Sequence, residues 1–254
     1  MKNIFYKTDK IKSYFSKHRI RWDQFYKSER VILTNTLTGF DSQSILDIGC
    51  GCGGLGLALQ EQFNISNYTG IEINTQAAKF AQELNPVAEI ICADFLELEP
   101  QKLPFGQFDV VISLSCIDWQ LNFDSMFKRA WLYVKPGGNF VFSLRLTDGI
   151  GVNDINSSYQ FINYDGVREG EIAPYVILNA KDLMHMLIAL GPSKISGFGF
   201  YGPPSSTAVT EYKELCFTVF AVKKPAELSI AVPQLELHLP QEIISLMLNA
   251  VQSK

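Results

Sequence analysis

The sequence lacks any apolar run that approaches the roughly 18 residues a membrane-spanning helix needs. Behind Met1-Lys2-Asn3-Ile4-Phe5 there is no apolar segment, so no secretory leader is expected. Cysteine is sparse, five in 254 residues, at positions 50, 52, 92, 116 and 216, and no two form a C-x-x-C knuckle. That spacing supports neither a disulfide framework nor a structural zinc site, and no metal is expected. Charged residues make up only 19%, against 47% hydrophobic and 12% aromatic. Such a composition excludes disorder and supplies a full core. No repeat or low-complexity tract interrupts it. The expectation is a cytoplasmic globular protein of one large domain or two small ones.

Charge is unevenly placed. Residues 1–30 hold nine Lys/Arg and three Asp/Glu, whereas the whole chain carries a net charge of −4. A basic N-terminal arm therefore precedes an acidic body, and an acidic body argues against a long nucleic-acid footprint. The same arm suits an anionic ligand or a solvated helical face.

From Ser44 onward short apolar runs alternate with longer mixed segments, as in a parallel sheet with crossover helices. Strands are expected at Ile45–Ile48, Tyr68–Ile73, Glu89–Ala93, Phe108–Leu114, Gly138–Leu144, Ile195–Phe200 and Cys216–Val222. Helices are expected at Gly54–Phe63, Thr75–Leu84, Phe123–Val134 and Ala180–Leu190, with Asn74 as an N-cap. Lys135-Pro136-Gly137-Gly138 is a helix stop and a turn. Three regions stand outside the alternation: an N-terminal helical arm over 1–43, an insertion over 147–179, and a C-terminal extension over 225–254 ending in an amphipathic helix. The insertion carries Gly149, Gly151, Gly166 and Gly170 among Tyr159, Phe161, Tyr164 and Tyr175, the composition of a lid over a ligand.

The densest signal is Ile45-Leu46-Asp47-Ile48-Gly49-Cys50-Gly51-Cys52-Gly53-Gly54, a strand running into a glycine turn that opens a helix. The spacing fits both G-x-G-x-x-G and G-x-G-x-G, so a dinucleotide is not excluded by glycines alone. Asp47 separates the two. A carboxylate at that strand end repels a pyrophosphate and suits an ammonium group. Glu72, about 20 residues on, is placed to accept from both hydroxyls of a ribose. Asp94-Phe95 ends the third strand, with a carboxylate for an adenine amino group and a ring to lie against the base. A ligand with an ammonium, a diol and an adenine but no phosphate is S-adenosylmethionine.

In these motifs and in Phe108-Asp109-Val110-Val111 and Lys135-Pro136-Gly137-Gly138, the chain resembles the class I S-adenosylmethionine-dependent methyltransferases over about Ile45–Val222. The resemblance implies an α/β, Rossmann-like, doubly wound seven-stranded sheet whose last strand is antiparallel. It also implies a methyltransferase domain at 44–224 with S-adenosylmethionine as cofactor. By carry-over, Asp47, Gly49, Cys50 and Gly51 line the methionine end. Glu72 and Ile73 hold the ribose, Asp94 and Phe95 the adenine, and Ser115 or Cys116 faces the methyl.

The acceptor is narrowed by exclusion. Nucleobase amino-methylating enzymes resemble one another in an acidic residue or Asn before Pro-Pro-aromatic after strand four, where this chain has Ser113-Leu114-Ser115-Cys116-Ile117-Asp118-Trp119. Cys116 has no adjacent proline or basic residue to make it a nucleophile, and the glutamate pair of protein arginine enzymes is missing. A small-molecule acceptor, with no nucleic acid, is what remains. The run Trp22–Arg30, together with Ile195–Ala208, resembles methyltransferases of bacterial surface-polysaccharide biosynthesis, which implies a sugar or sugar-linked acceptor near Tyr26, Ser28, Arg30 and Trp119. Ser115–Trp119 is also similar to enzymes methylating small carboxylic acids such as trans-aconitate, and Arg145 is then a carboxylate clamp. A non-catalytic cofactor-binding subunit is the third alternative. Trp22 and Tyr26, four apart, are expected to pack on the body, and neither His18 nor His185 is assigned as a base.

Overall fold

The computed structural model describes residues 14–15, 17–37, 43–163, 166–227 and 232–252. The N-terminal arm is thus described only in part, and Tyr164 of the insertion lies outside the described residues.

Strand β1 (Ile45–Ile48) is buried along its whole length because both sheet faces are covered. It pairs in parallel with β2 (Tyr68–Glu72) and β4 (Phe108–Ser113). Beyond these lie β3 (Glu89–Cys92) on one side and β5 (Val134–Thr147) on the other. Strand β11 (Leu215–Lys223) is antiparallel to both β5 and β9 (Lys194–Gly202). The seven expected strands are all present in the order β9-β11-β5-β4-β1-β2-β3. An eighth, β12 (Gln234–His238), pairs in parallel with β9 at the edge, so the C-terminal extension contributes to the sheet as well as a helix.

Helices α1 (Lys27–Leu37) and α2 (Gly54–Phe63) lie on one face, burying Ile32, Leu33, Leu55 and Leu59. On the other, α4 (Phe123–Leu132), α5 (Ala180–Ala189) and α6 (Gln241–Gln252) press Phe127, Leu183 and Met247 into the larger core. Phe127, Phe140, Phe142 and Phe220 meet there ring to ring at 4.7–5.8 Å. Helix α3 (Thr75–Leu84) starts where Asn74 accepts the amides of Gln76 and Ala77, both at 3.0 Å, as an N-cap should. Lys135–Gly138 is not an isolated turn. Strand β5 runs through it, and the register against β4 shifts beside Gly137, whose φ is +80°.

The insertion has structure of its own. Strands β6 (Tyr159–Phe161), β7 (Ile172–Pro174) and β10 (Ala208–Val209) form a separate three-stranded sheet. The short β8 (Leu178–Asn179) returns the chain to the main sheet beside β5. Tyr175, Ile177, Ala208 and Leu215 form a small core beneath it.

Candidate functional site

The carboxyl ends of β1, β2, β4 and β5 open into one cavity of about 710 Å³, roofed by the N-terminal arm and the insertion. Ligands bind at this edge of open α/β sheets. Gly49, Gly51 and Gly53 all have positive φ, which is how the chain leaves β1 and enters α2 within six residues. A Cβ at Gly49 would overlap Cys116, so the glycine turn and the loop after β4 are in direct contact. At Gly51 a Cβ would meet nothing within 4 Å. The backbone there faces open cavity, where a ligand can approach it.

Asp47 and Glu72 flank that opening. Asp47 is 3% exposed and accepts the Tyr68 hydroxyl. Burial pushes its carboxyl up to about 7, against the opposing pull of that hydrogen bond and of Arg19. Glu72 accepts Gly51 N–H at 2.9 Å through Oε2 and Asn74 N–H at 2.8 Å through Oε1. Its orientation is thereby fixed, and a carboxylate so bonded keeps lone pairs for two further donors. Burial raises its pKa also. Two buried carboxylates beside an exposed glycine backbone fit an ammonium and a ribose diol and do not fit a pyrophosphate.

Of the other residues expected to hold a cofactor, Cys50, Ile73, Phe95 and Ser115 line the cavity. Ser115 has φ +51°, and its amide donates to Ser143 Oγ at 2.6 Å. Asp94 does not line the cavity. Its Oδ1 accepts Leu96 N–H at 2.9 Å in the turn after β3. Cys50 and Cys116 have thiols raised far above the ordinary range by burial and nearby carboxylates, so both are packing groups rather than nucleophiles.

The acceptor residues divide. Ser28 and Trp119 line the cavity. Tyr26 lies at its mouth and is 63% exposed, so it does not pack on the body as Trp22 does against Phe63. Arg30 does not line the cavity. Arg145 does reach it but is no free clamp. Its guanidinium pairs with Asp118 Oδ2 at 3.1 Å, donates to the carbonyls of Asp118 and Val176, and lies 3.6 Å from the Tyr175 ring centroid.

Sequence reasoning missed Arg19 and Glu29. Arg19 lies over the Phe25 ring and donates two hydrogen bonds to Glu29, itself 1% exposed, closing the arm against the cavity. Only the spacing of a basic arm before an acidic N-terminal helical turn hinted at this pair. His18 is exposed at the cavity mouth, stacked on Tyr14.

Residues 46–142 match the family model described as a methyltransferase domain. The chain is 30% identical over 144 residues to an rRNA N(6)-adenosine-methyltransferase of Caenorhabditis elegans, covering 51% of this chain and 66% of that protein. It is 27% identical over 209 residues to a fatty-acid O-methyltransferase of Mycolicibacterium smegmatis, covering 74% and 70%. Other relatives are spanned over as little as 42% of their length. Among solved structures, Haemonchus contortus phosphoethanolamine N-methyltransferase 2 with phosphomonomethylethanolamine and S-adenosylhomocysteine has a TM-score of 0.55. That likeness is at 17% identity, over 80% of this chain and 53% of that one, and it shows the fold. Among the described residues no helix is long and apolar enough to cross a membrane, and no cluster of side chains could hold a metal ion.

Proposed function

We propose that this chain, which carries a class I S-adenosylmethionine-dependent methyltransferase domain, methylates a small polar acceptor enclosed between its N-terminal arm and its insertion. The observation that carries this is the continuity of one cavity from Asp47, Gly51 and Glu72 to Trp119, Gln160 and Ser205. The first group fits the cofactor. The second belongs to the loop after β4 and to the insertion side, and offers an indole, an amide and a hydroxyl, the groups that bind polar rings.

When bound, S-adenosylmethionine supplies an activated methyl on a sulfonium. The residues of the chain hold and orient. We assign Asp47 to the ammonium, Glu72 and Ile73 to the ribose, Phe95 to the base, and the glycine turn to close approach. The arm and the insertion keep water from the reacting atoms and fix the acceptor near Ser115 and Cys116, so that catalysis is mostly positioning.

A sugar or sugar-linked intermediate is our first acceptor. Its support is the resemblance of Trp22–Arg30 together with the polar lining under the insertion. A carboxylic acid is the second, supported by the fatty-acid O-methyltransferase among the relatives. The acidic body led us to expect no nucleic-acid acceptor, but one relative is an RNA enzyme by name, so RNA belongs in the test. Methyl transfer from labelled cofactor should be measured against nucleotide sugars, neutral glycosides, small carboxylic acids and total RNA. Turnover of a glycoside or nucleotide sugar is expected. Turnover of RNA alone would overturn the small-acceptor assignment, and cofactor binding without any turnover would favour the non-catalytic subunit.

A further inference from the structure

We infer that the acceptor is amphipathic, with a hydroxylated head held at Ser143 and an apolar arm lying on Phe217 and Phe200, along a stretch of sheet that α1 leaves bare. The inference deepens the function proposed above and rests on it. It names the acceptor's class as a hydroxyl compound with an alkyl or aryl substituent.

Cross-strand pairing puts Ser143 of β5, Val219 and Phe217 of β11, and Phe198 and Phe200 of β9 on one face of the sheet. Helix α1 covers part of that face, packing Ile32 and Leu33 with Val219. Its cover ends at Lys27, whose Nζ stands 5.9 Å from the Phe198 ring centroid. Phe200 lies two residues further along β9, and it lines the cavity together with Phe217 and Ser143. Phe200 is 43% exposed, and Tyr26, just before α1 and also lining the cavity, is 63% exposed. A Cβ at Gly202 would lie 3.5 Å from the Phe217 ring, so bare backbone continues this floor past the ring. Single exposed apolar side chains are ordinary, but three aromatic rings turned to one cavity form a binding surface.

The inner end of this floor is polar. Ser143 Oγ accepts the Ser115 amide at 2.6 Å, which fixes the hydroxyl beside the loop assigned to the methyl and leaves its hydrogen for a ligand. Phe217 is the diagonal neighbour of Ser143 across the β5–β11 pair, at about 7–8 Å. A substituent on a head bound at Ser143 meets that ring next. A wholly polar acceptor would leave Phe217, Phe200 and Tyr26 facing water.

The test titrates methyl, hexyl and phenyl β-D-glucoside, by ligand-observed NMR, into the full chain loaded with S-adenosylhomocysteine. The hexyl and phenyl compounds are expected to bind roughly tenfold or more tightly than the methyl one, and the tighter of them tells whether the arm is a chain or a ring. Phe200→Ser removes part of the floor. Gly202→Leu fills the space over it, at a residue whose φ is not positive and where a Cβ makes only ordinary contact. Each should bring hexyl and phenyl glucoside to within about threefold of methyl glucoside. Ser143→Ala should weaken all three alike and keep their order. Equal binding of the three by the wild type, no binding of any, an advantage unmoved by both floor variants, or a Ser143→Ala protein that binds as the wild type does would overturn the inference. Failure of the wild type to bind S-adenosylhomocysteine by calorimetry would instead sink the proposed function, so the two failures are distinct.

Discussion

Arg19 and Glu29 are joined by two parallel hydrogen bonds, 2.9 and 2.8 Å long, that fasten the N-terminal arm over the glycine turn. Glu29 also accepts the Tyr26 amide at 2.8 Å and so caps α1. The Arg19 carbonyl lies against Gly54, where any Cβ would collide with it. Arm, helix α1 and glycine turn are therefore one unit. Glu29→Ala should cost about 2–4 kcal/mol, since it leaves a part-buried guanidinium unpaired and removes a cap. Urea denaturation of both proteins measures it. A loss under about 0.5 kcal/mol, the scale of a surface pair, would show that the pair is solvated in solution.

Glu72 is the direct test of the cofactor site. Glu72→Ala should remove charge-assisted hydrogen bonds to the ribose worth about 1.5–3 kcal/mol, a fall of roughly ten- to a hundredfold in affinity. Calorimetry with S-adenosylmethionine on folded mutant and wild type decides it. Unchanged affinity, or tight wild-type binding of a nicotinamide dinucleotide, would sink the assignment.

Glycines 49 and 51 should separate packing from ligand clearance. Both have positive φ, so alanine costs about 1–2 kcal/mol of backbone strain at either. At Gly49 the new methyl also lies 2.8 Å from Cys116 Cβ. Gly49→Ala should therefore lose about 3 kcal/mol or more of stability. Gly51→Ala meets no atom within 4 Å, so it should stay folded and lose cofactor affinity instead. Equal stability losses, with cofactor affinity intact in Gly51→Ala, would mean the ligand does not pass over Gly51.

These glycines also mark how far the sequence is informative. A turn that must leave a strand and enter a helix at once restricts backbone angles locally, so Gly49 and Gly51 are visible without a structure. Asp47 and Glu72 are visible because they close strands of known spacing. Strand β12 carried a signal that went unused. Gln234-Leu235-Glu236-Leu237-His238 alternates with period two, but it stands alone after Pro225 with no partner in the alternating pattern. The pairs Arg19–Glu29 and Asp118–Arg145 are another matter. Each depends on where a loop comes to rest on the sheet, which no local spacing specifies, so Arg145 presented itself as a free clamp.

Asp47 gives the site a pH dependence. Its pKa of about 7 in the folded chain lies above the ordinary 3.8, so between those values the folded state holds a proton that the unfolded state has released. Stability from this group is therefore full below about pH 4 and is lost as pH rises through about 7. Cofactor binding should run the other way, because an ammonium needs the ionised carboxylate. Affinity for S-adenosylhomocysteine should rise from about pH 5 to pH 7 and then level, with proton release seen by calorimetry in buffers of different ionisation enthalpy. Asp47→Asn should abolish the release. Buffer-independent enthalpies for the wild type at about pH 6 would show that no ammonium sits on Asp47.

The insertion over 147–179 was expected to act as a lid, and the fold limits which part of it could do so. Its two ends are fixed. Val152 and Ile177 exchange amide hydrogen bonds at 2.7 and 2.9 Å, β8 pairs with β5, and Arg145 holds the Val176 carbonyl. Ser158 is bonded to Tyr175 through both its carbonyl and its hydroxyl. The outer part is held by Ile162 N–H on the Glu171 carbonyl, by Asn163, whose side chain accepts Val167 N–H and donates to the Val167 and Glu169 carbonyls, and by Arg168 on the Ser206 carbonyl. Gly166 and Gly170, both at positive φ, have open space around them. Yet Phe161, Ile162 and Asn163 line the cavity. Closure is proposed for the outer part alone, which has the positive-φ glycines and the cavity-lining residues. In hydrogen exchange, the amides of Val152, Tyr175 and Ile177 should be protected in the ligand-free protein, while Ile162 and Val167 exchange fast and slow down when S-adenosylhomocysteine and acceptor are added. Strong protection of Ile162 and Val167 without ligand, unaltered by either addition, would make the insertion a fixed wall of the acceptor site.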